Sequence, residues 1–407
     1  MKHALTRGQP RALAEVDSMI LGAAPHAVLF VGPGSVGKTT LALDLAAGLL
    51  CTNPDPTARP CRECRGCRQV ASGNHPDLHR LAPEGPGDQI RIGKASDPEP
   101  GTVRNLIGEL SLLSVEGGAR VVVVEGAHRL NEDAQNAFLK MLEEPPAGVT
   151  IVLCADDEEC LLPTVRSRCI RIRLGPVGGR EIERWLGELG VADAPRAARL
   201  GRLAEGRPGL ALAYARSHDA ERLRGEIARG VLDMLAEGRQ KRLAAVRELM
   251  KSAAALEAAL DEGRGGVERA VDAAPRTTRG KKARAVAIAR DAGGDDSAAR
   301  GDDGGPADSA GPGPKLAASD RRAAAATLIE IWASVGRDLT VASLGGARQM
   351  REIALLDELP RFAEAVSQAT LAAFMEKLAE VAIQIDENVN PELALDVLAL
   401  SWPRVDA

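Results

Sequence analysis

Short apolar runs alternate with longer amphipathic stretches over the first 174 residues. Residues 27–31 (Ala-Val-Leu-Phe-Val) and 121–124 (four valines) are unbroken apolar runs, as strands buried on both faces require. Residues 150–154 form a third run. Residues 170–174 (Ile-Arg-Ile-Arg-Leu) alternate, as a strand with one wet face does. Residues 132–144 have helical spacing and stop at Pro145-Pro146, and residues 103–107 open another helix ahead of the valine run. Strand and helix in alternation predict a parallel sheet with crossover helices.

From Pro176 the strand-type runs cease. Helical periodicity takes over at 180–190, 196–206 and 210–217, with Gly-rich breaks between, so residues 175–218 read as a small helical domain. Long helices follow from 219 to 261, with apolar spacing such as Val231, Leu232, Leu235 and Leu243, Val246, Leu249. They resume at Asp320 and run to Asp396. Between them, residues 263–314 are of low complexity. Residues 264–290 hold eight Lys/Arg against two Asp/Glu, and 291–308 hold six Asp and one Arg. Too few apolar groups are present to offset the entropy of ordering, and a disordered insertion is expected. Its basic half reads either as a solvated charge run or as a contact for DNA phosphates.

Composition sharpens this only in part. With 407 residues the chain can hold two or three domains, while aromatics are scarce: four Phe, three Trp and one Tyr. A net charge of −5 gives no global attraction to nucleic acid, so any DNA contact must come from a local basic surface. The N-terminus has no signal-peptide pattern, and no apolar run reaches membrane-spanning length. A cytoplasmic protein without a membrane partner is expected.

The candidate chemistry begins directly after the first strand. Residues 32–39 read Gly-Pro-Gly-Ser-Val-Gly-Lys-Thr, and Thr40 continues into a helical stretch. Gly32, Gly34 and Gly37 would let backbone N–H groups approach phosphates at a helix N-terminus, Lys38 would reach the β- and γ-phosphates, and Thr39 would ligate magnesium. This spacing fixes a nucleotide-binding fold better than it fixes a reaction. After the valine strand the chain presents Glu125-Gly126, where a hydrolase of this type would carry Asp-Glu.

Of seven cysteines, Cys51, Cys61, Cys64 and Cys67 cluster. In a reducing compartment four thiolates at this spacing point to a structural zinc site with no open position; a redox role or plain reduced thiols are the alternatives. The Pro-rich polar segment around them could bury little alone, so the metal would supply its folding energy. His75 and His79 lie nearby and read as non-ligands. Cys154, Cys160 and Cys169 read as small core residues.

Taken in order, the phosphate loop, the four-cysteine insertion (51–67), the run Asn136-Ala-Phe-Leu-Lys-Met-Leu-Glu-Glu-Pro-Pro146 and Ser167-Arg168-Cys169 resemble the bacterial DNA polymerase III clamp-loader family. The resemblance covers roughly 1–260 and, more weakly, 320–400. It implies an α/β P-loop AAA+ domain (1–174), a helical lid (175–218) and an all-α collar (219–407, interrupted by 263–314) through which subunits form an open pentamer. It also implies γ/τ and δ clamp-loader subunits as partners, with the sliding clamp and primer-template DNA as what the assembly acts on. Helix ends such as Arg104's would line a DNA-facing surface.

Three positions depart from the family's active ATPase. Glu125 could still orient a magnesium ion, but Gly126 cannot polarise water. Ala155-Asp156-Asp157 stands where the active subunit senses the γ-phosphate, and a carboxylate there repels phosphate. Gly209 replaces the lid's sensor arginine, and Arg207 sits two residues early and faces away. The resemblance therefore implies a δ′-type subunit with weak or absent ATPase. An active γ/τ-type motor is the alternative, and a P-loop kinase or unrelated NTPase belongs to a third class. In the family the arginine of Ser-Arg-Cys projects into a neighbour's ATP site, which makes Arg168 the candidate finger in trans; an ion pair at a strand edge is the plainer reading.

Overall fold

The computed structural model describes residues 1, 3–83, 89–94, 99–111, 114–115, 118–271, 318–346, 349–386 and 389–405. The first element is helix α1 (Pro10–Leu21). Strand β1 (Ala27–Val31) runs into helix α2 (Lys38–Leu49), and a short helix α3 (Arg65–Ala71) precedes β2 (Leu78–Leu81). Helix α4 (Val103–Ser111), β3 (Arg120–Val124), α5 (Glu132–Glu143), β4 (Val149–Ala155), α6 (Pro163–Arg166) and β5 (Ile170–Arg173) complete this half. All strand pairings are parallel, in the order β2-β3-β4-β1-β5.

The side-chain period of two divides the core between the sheet's faces. Val28 and Phe30 of β1, Val121 and Val123 of β3, and Val152 and Cys154 of β4 pack against α1 and α2. Leu29, Val31, Val122, Val124, Ile151 and Leu153 pack on the opposite side against α4 and α5. The three middle strands are buried along their whole length, whereas edge strands β2 and β5 are partly wet. β1 lies between β4 and β5, so the loop leaving its carboxyl end opens at the point where strand order reverses. Ligands of open parallel sheets bind at such a switch point.

The remaining helices are α7 (Gly179–Glu188), α8 (Ala194–Leu203), α9 (Pro208–Arg216), α10 (His218–Asp233), α11 (Arg239–Val271), α12 (Ala318–Ser343), α13 (Leu359–Ala365), α14 (Gln368–Asp386) and α15 (Pro391–Ser401). The fold class is thus the expected one, a parallel α/β domain followed by helices. One continuous apolar core, from Val177 to Trp402, spans residues on both sides of the 218/219 boundary. The expected start of the insertion is corrected: residues 263–271 continue α11, and 272–314 lie outside the described residues. Gly263 is a point of close approach rather than a breaker. A β-carbon there would lie 2.7 Å from the carbonyl oxygen of Ala213 in α9.

Candidate nucleotide-type and metal sites

The carboxyl ends of β1, β3 and β4 bring Gly32, Glu125 and Asp156 to one edge of the sheet. Gly32 is required by packing, since a β-carbon there would sit 2.2 Å from the carbonyl oxygen of Leu174. Gly37 holds φ +107°, a conformation that side chains disfavour, and hands the chain to α2. Gly34, Lys38, Thr39 and Thr40 follow as the motif predicts, with Lys38 buried and the two threonines half-buried in the first turn of α2. The Lys38 ammonium donates to the carbonyls of Gly32 (2.6 Å) and Pro33 (2.7 Å) and pairs with Asp156 Oδ1 at 2.7 Å.

Glu125 is engaged by the β2 residue Arg80, whose Nε and Nη2 donate to its Oε1 at 2.9 and 2.7 Å. Gly126 has φ +61° and ψ +44°, the left-handed region, and a β-carbon there would come 3.0 Å from Pro83 Cγ. Glycine is therefore the residue this turn favours.

Helix α9 touches the loop through backbone. Gly209, in the first turn of α9, donates its N–H to the Ser35 carbonyl at 3.0 Å. A β-carbon at 209 would stand 3.1 Å from that oxygen and 3.3 Å from Ser35 Cβ. Arg207 turns away, with Nη1 3.1 Å from Glu330 Oε2 of α12.

Arg168 follows α6, near the start of edge strand β5. Its Nη2 donates to Glu143 Oε1 at 2.6 Å and its Nη1 to the Thr164 carbonyl at 2.9 Å. About a third of the side chain remains exposed. Nearby, Arg171 and Arg173 of β5 share Glu158; burial opposes its ionisation, but these two guanidiniums hold its pKa below the ordinary value. Arg104, the candidate DNA contact, donates Nη1 to the Gly93 carbonyl at 2.7 Å.

The four cysteines converge at the far end of α2. Their Sγ atoms all lie within 4.8 Å of one another, with Cys51 3.6 Å from Cys61 and 3.8 Å from Cys64. Four thiolates held about 2.3 Å from a zinc ion at tetrahedral angles would be about 3.8 Å apart, so the donor set and spacing fit that metal. Backbone amides turn toward the sulfurs: Cys64 N–H donates to Cys61 Sγ at 3.4 Å and Cys67 N–H to Cys64 Sγ at 3.3 Å. Burial opposes the Cys64 thiolate, yet donors from Cys67 and Thr52 lower its pKa to about 6. Burial pushes Cys51 and Cys67 the other way. The histidines have other partners: His79 Nδ1 lies 2.8 Å from Glu109 Oε2, and buried His75 Nδ1 accepts from the Asp77 N–H. Cys154 is buried and Cys169 half-buried, but Cys160 is exposed, contrary to expectation, because it lies in the turn after β4.

Sequence reasoning missed Asp44, midway along α2, which ties the N-terminal segment to the cysteine insertion. It is fully buried in α2 and accepts from Leu5 N–H (3.1 Å), Thr6 N–H (2.9 Å) and Thr6 Oγ1 (2.7 Å). Arg62, from the cysteine insertion, pairs with it and donates Nε to the His3 carbonyl at 3.0 Å. The available signal was a carboxylate between Leu41 and Leu45 on the apolar side of α2. Buried charges of that kind demand partners.

Residues 8–178 match the family described as DNA polymerase III, delta subunit. The chain is 36% identical over 218 residues to DNA polymerase III subunit delta′ of Pseudomonas aeruginosa, covering 54% of this chain and 61% of that protein. It is 35% identical over 205 residues to subunit tau of Salmonella typhimurium, covering 49% and 30%. Over 175 residues it is 35% identical to subunit delta′ of Bacillus subtilis, covering 43% and 49%. The chain thus spans between under a third and about three-fifths of the length of these relatives. Among the described residues no helix is long and apolar enough to cross a membrane. Through residues 8–178 this chain matches the family described as DNA polymerase III, delta subunit, and over about half its length it is similar to delta′ and tau subunits.

Proposed function

We propose that the chain is a δ′-type clamp-loader subunit that turns over little or no ATP itself and supplies Arg168 to the ATP site of a neighbouring γ/τ-type subunit. The observation that carries this reading is Gly209. The residue of α9 facing the phosphate loop has no side chain, and its backbone packs so closely on Ser35 that a β-carbon would push Ser35 back by a few tenths of an ångström. With Gly126 in a left-handed turn, neither the water-polarising group nor the lid arginine of an active ATPase has a counterpart here. Arg168, by contrast, is held at the surface by Glu143, at the edge of the sheet that a neighbour could approach. A guanidinium delivered there would stabilise charge on transferring phosphoryl oxygens.

On this reading residues 1–174 form the AAA+ domain, 175–218 the lid, and 219–407 the collar that joins γ/τ and δ subunits. The assembly would open the sliding clamp on primer-template DNA. Zinc would fold the insertion, and the phosphate loop would bind ATP and magnesium weakly or not at all. The second reading, an active motor, is favoured by the complete phosphate-loop sequence alone.

The test is ATP hydrolysis by the purified chain, alone and then combined with γ/τ and δ subunits and primed DNA. Arg168→Ala should lower the DNA-stimulated ATPase of the assembly at least about tenfold, with assembly on size-exclusion chromatography intact. Unchanged ATPase would remove the finger assignment. Vigorous turnover by the isolated chain, abolished by Lys38→Ala, would favour the motor.

A further inference from the structure

A lysine ammonium has three N–H donors. All three of Lys38's are matched inside this chain: by the Gly32 carbonyl, the Pro33 carbonyl and Asp156 Oδ1, at 2.6, 2.7 and 2.7 Å. The lysine side chain is only 8% exposed, so solvent offers it little else. The carboxylate also lies against the loop backbone. Asp156 Oδ2 stands 3.2 Å from where a β-carbon on Gly34 would be. The close backbone approach that glycine allows a phosphate is here used by an anion of the protein itself. Asp156 is fixed in turn by its own N–H, which donates to His128 Nδ1 at 3.1 Å. The adjacent carboxylate, Asp157, points elsewhere and accepts the Glu159 N–H at 2.9 Å.

We infer that Asp156 is an internal anionic ligand of the phosphate loop, occupying Lys38 in place of a nucleotide phosphate and keeping an otherwise complete loop from binding ATP. Two alternatives for a silent loop differ in what they require. General repulsion by nearby acids would make Asp156 and Asp157 interchangeable. A loop built in a non-binding shape would be indifferent to both. Direct ligation singles out Asp156, because only its oxygen meets the ammonium. Removing that charge frees one donor of Lys38 and the space beside Gly34, and leaves the glycine geometry of the loop unchanged.

This inference deepens the reading of the chain as a non-hydrolysing subunit, and binding rather than turnover tests it. Calorimetric titration of the full chain with ATP and magnesium should show Asp156→Asn binding at least tenfold more tightly than the unaltered protein. Asp156→Ala should behave likewise, and Asp157→Asn should stay within twofold. Lys38→Ala placed on the Asp156→Asn background should abolish the gain. Circular dichroism would confirm that each variant is folded; the two Asp156 substitutions differ in size, so a packing defect in one does not mask the effect. Equal affinities for Asp156→Asn and the unaltered chain, or equal gains from Asp156→Asn and Asp157→Asn, would overturn the inference. Tight binding without hydrolysis in Asp156→Asn leaves the proposed function standing, whereas hydrolysis by the unaltered chain would remove that function whatever the binding data show.

Discussion

Helix α2 begins at one candidate ligand site and ends at another, and the two are in opposite states. At its amino end, the phosphate loop has every residue its motif requires, yet the lysine is satisfied by protein oxygens and the α9 backbone rests on Ser35. At its carboxyl end, four sulfurs from a segment with little core of its own share a common centre, with amides already turned toward them. A complete motif therefore does not imply a site ready for its ligand. What decides is where the donor atoms direct their hydrogen bonds.

The sharpest way to break this contrast is to disturb the metal end. Structural zinc contributes on the order of 10 kcal/mol or more to the folding of small cysteine sites. Extended chelation, or Cys64→Ser, should release about one zinc per chain and abolish hydrogen-exchange protection over residues 51–71. Strands β1, β3 and β4 should keep theirs. Retained protection after complete metal removal would show that the insertion folds without zinc.

Asp44→Ala comes next in expected size. It removes the acceptor shared by Leu5, Thr6 and Arg62, leaving buried donors and a guanidinium without their partner. Breaking a buried pair of this kind costs about 3–5 kcal/mol, measurable by denaturant titration of the α/β half. Residues 3–8 should then become protease-sensitive even with zinc bound. A loss below about 1 kcal/mol would mean that Asp44 does not anchor the N-terminal segment and the cysteine insertion to α2.

Much of the architecture was legible because its signals are local. The apolar runs of β1, β3 and β4 fall within a residue or so of their observed limits, since a strand buried on both faces has few alternatives. Strand β2 was not legible: Leu-His-Arg-Leu at a wet edge has no distinctive pattern. Helix α11 overran its expected end because Gly263 looks like a breaker in sequence and acts as a contact in space. Site residues followed the same rule. The cysteine spacing and the phosphate loop could be read directly. The saturation of Lys38, the capture of Glu125 by Arg80 and the Glu143 tether on Arg168 join distant positions, and nothing local announces them.

Gly126→Glu tests how far the phosphate-loop end can be pushed back toward an active site, and its expected effect is the smallest. The substitution restores the missing carboxylate in composition but places it at φ +61°, where a side chain costs roughly 1–2 kcal/mol, and against Pro83. Relief of that strain would rotate the turn away from the sheet edge, and the new carboxylate would not stand beside Lys38's phosphate position. The neighbouring Glu125 would still be paired with Arg80, and position 209 would still lack a cation. Stability should therefore fall by about that amount in a denaturant titration, with no gain in ATP turnover. Measurable ATPase from this single change would mean that Gly126 alone silences the loop, and the contrast between the two ends of α2 would then rest on one residue rather than on the way Lys38 is held.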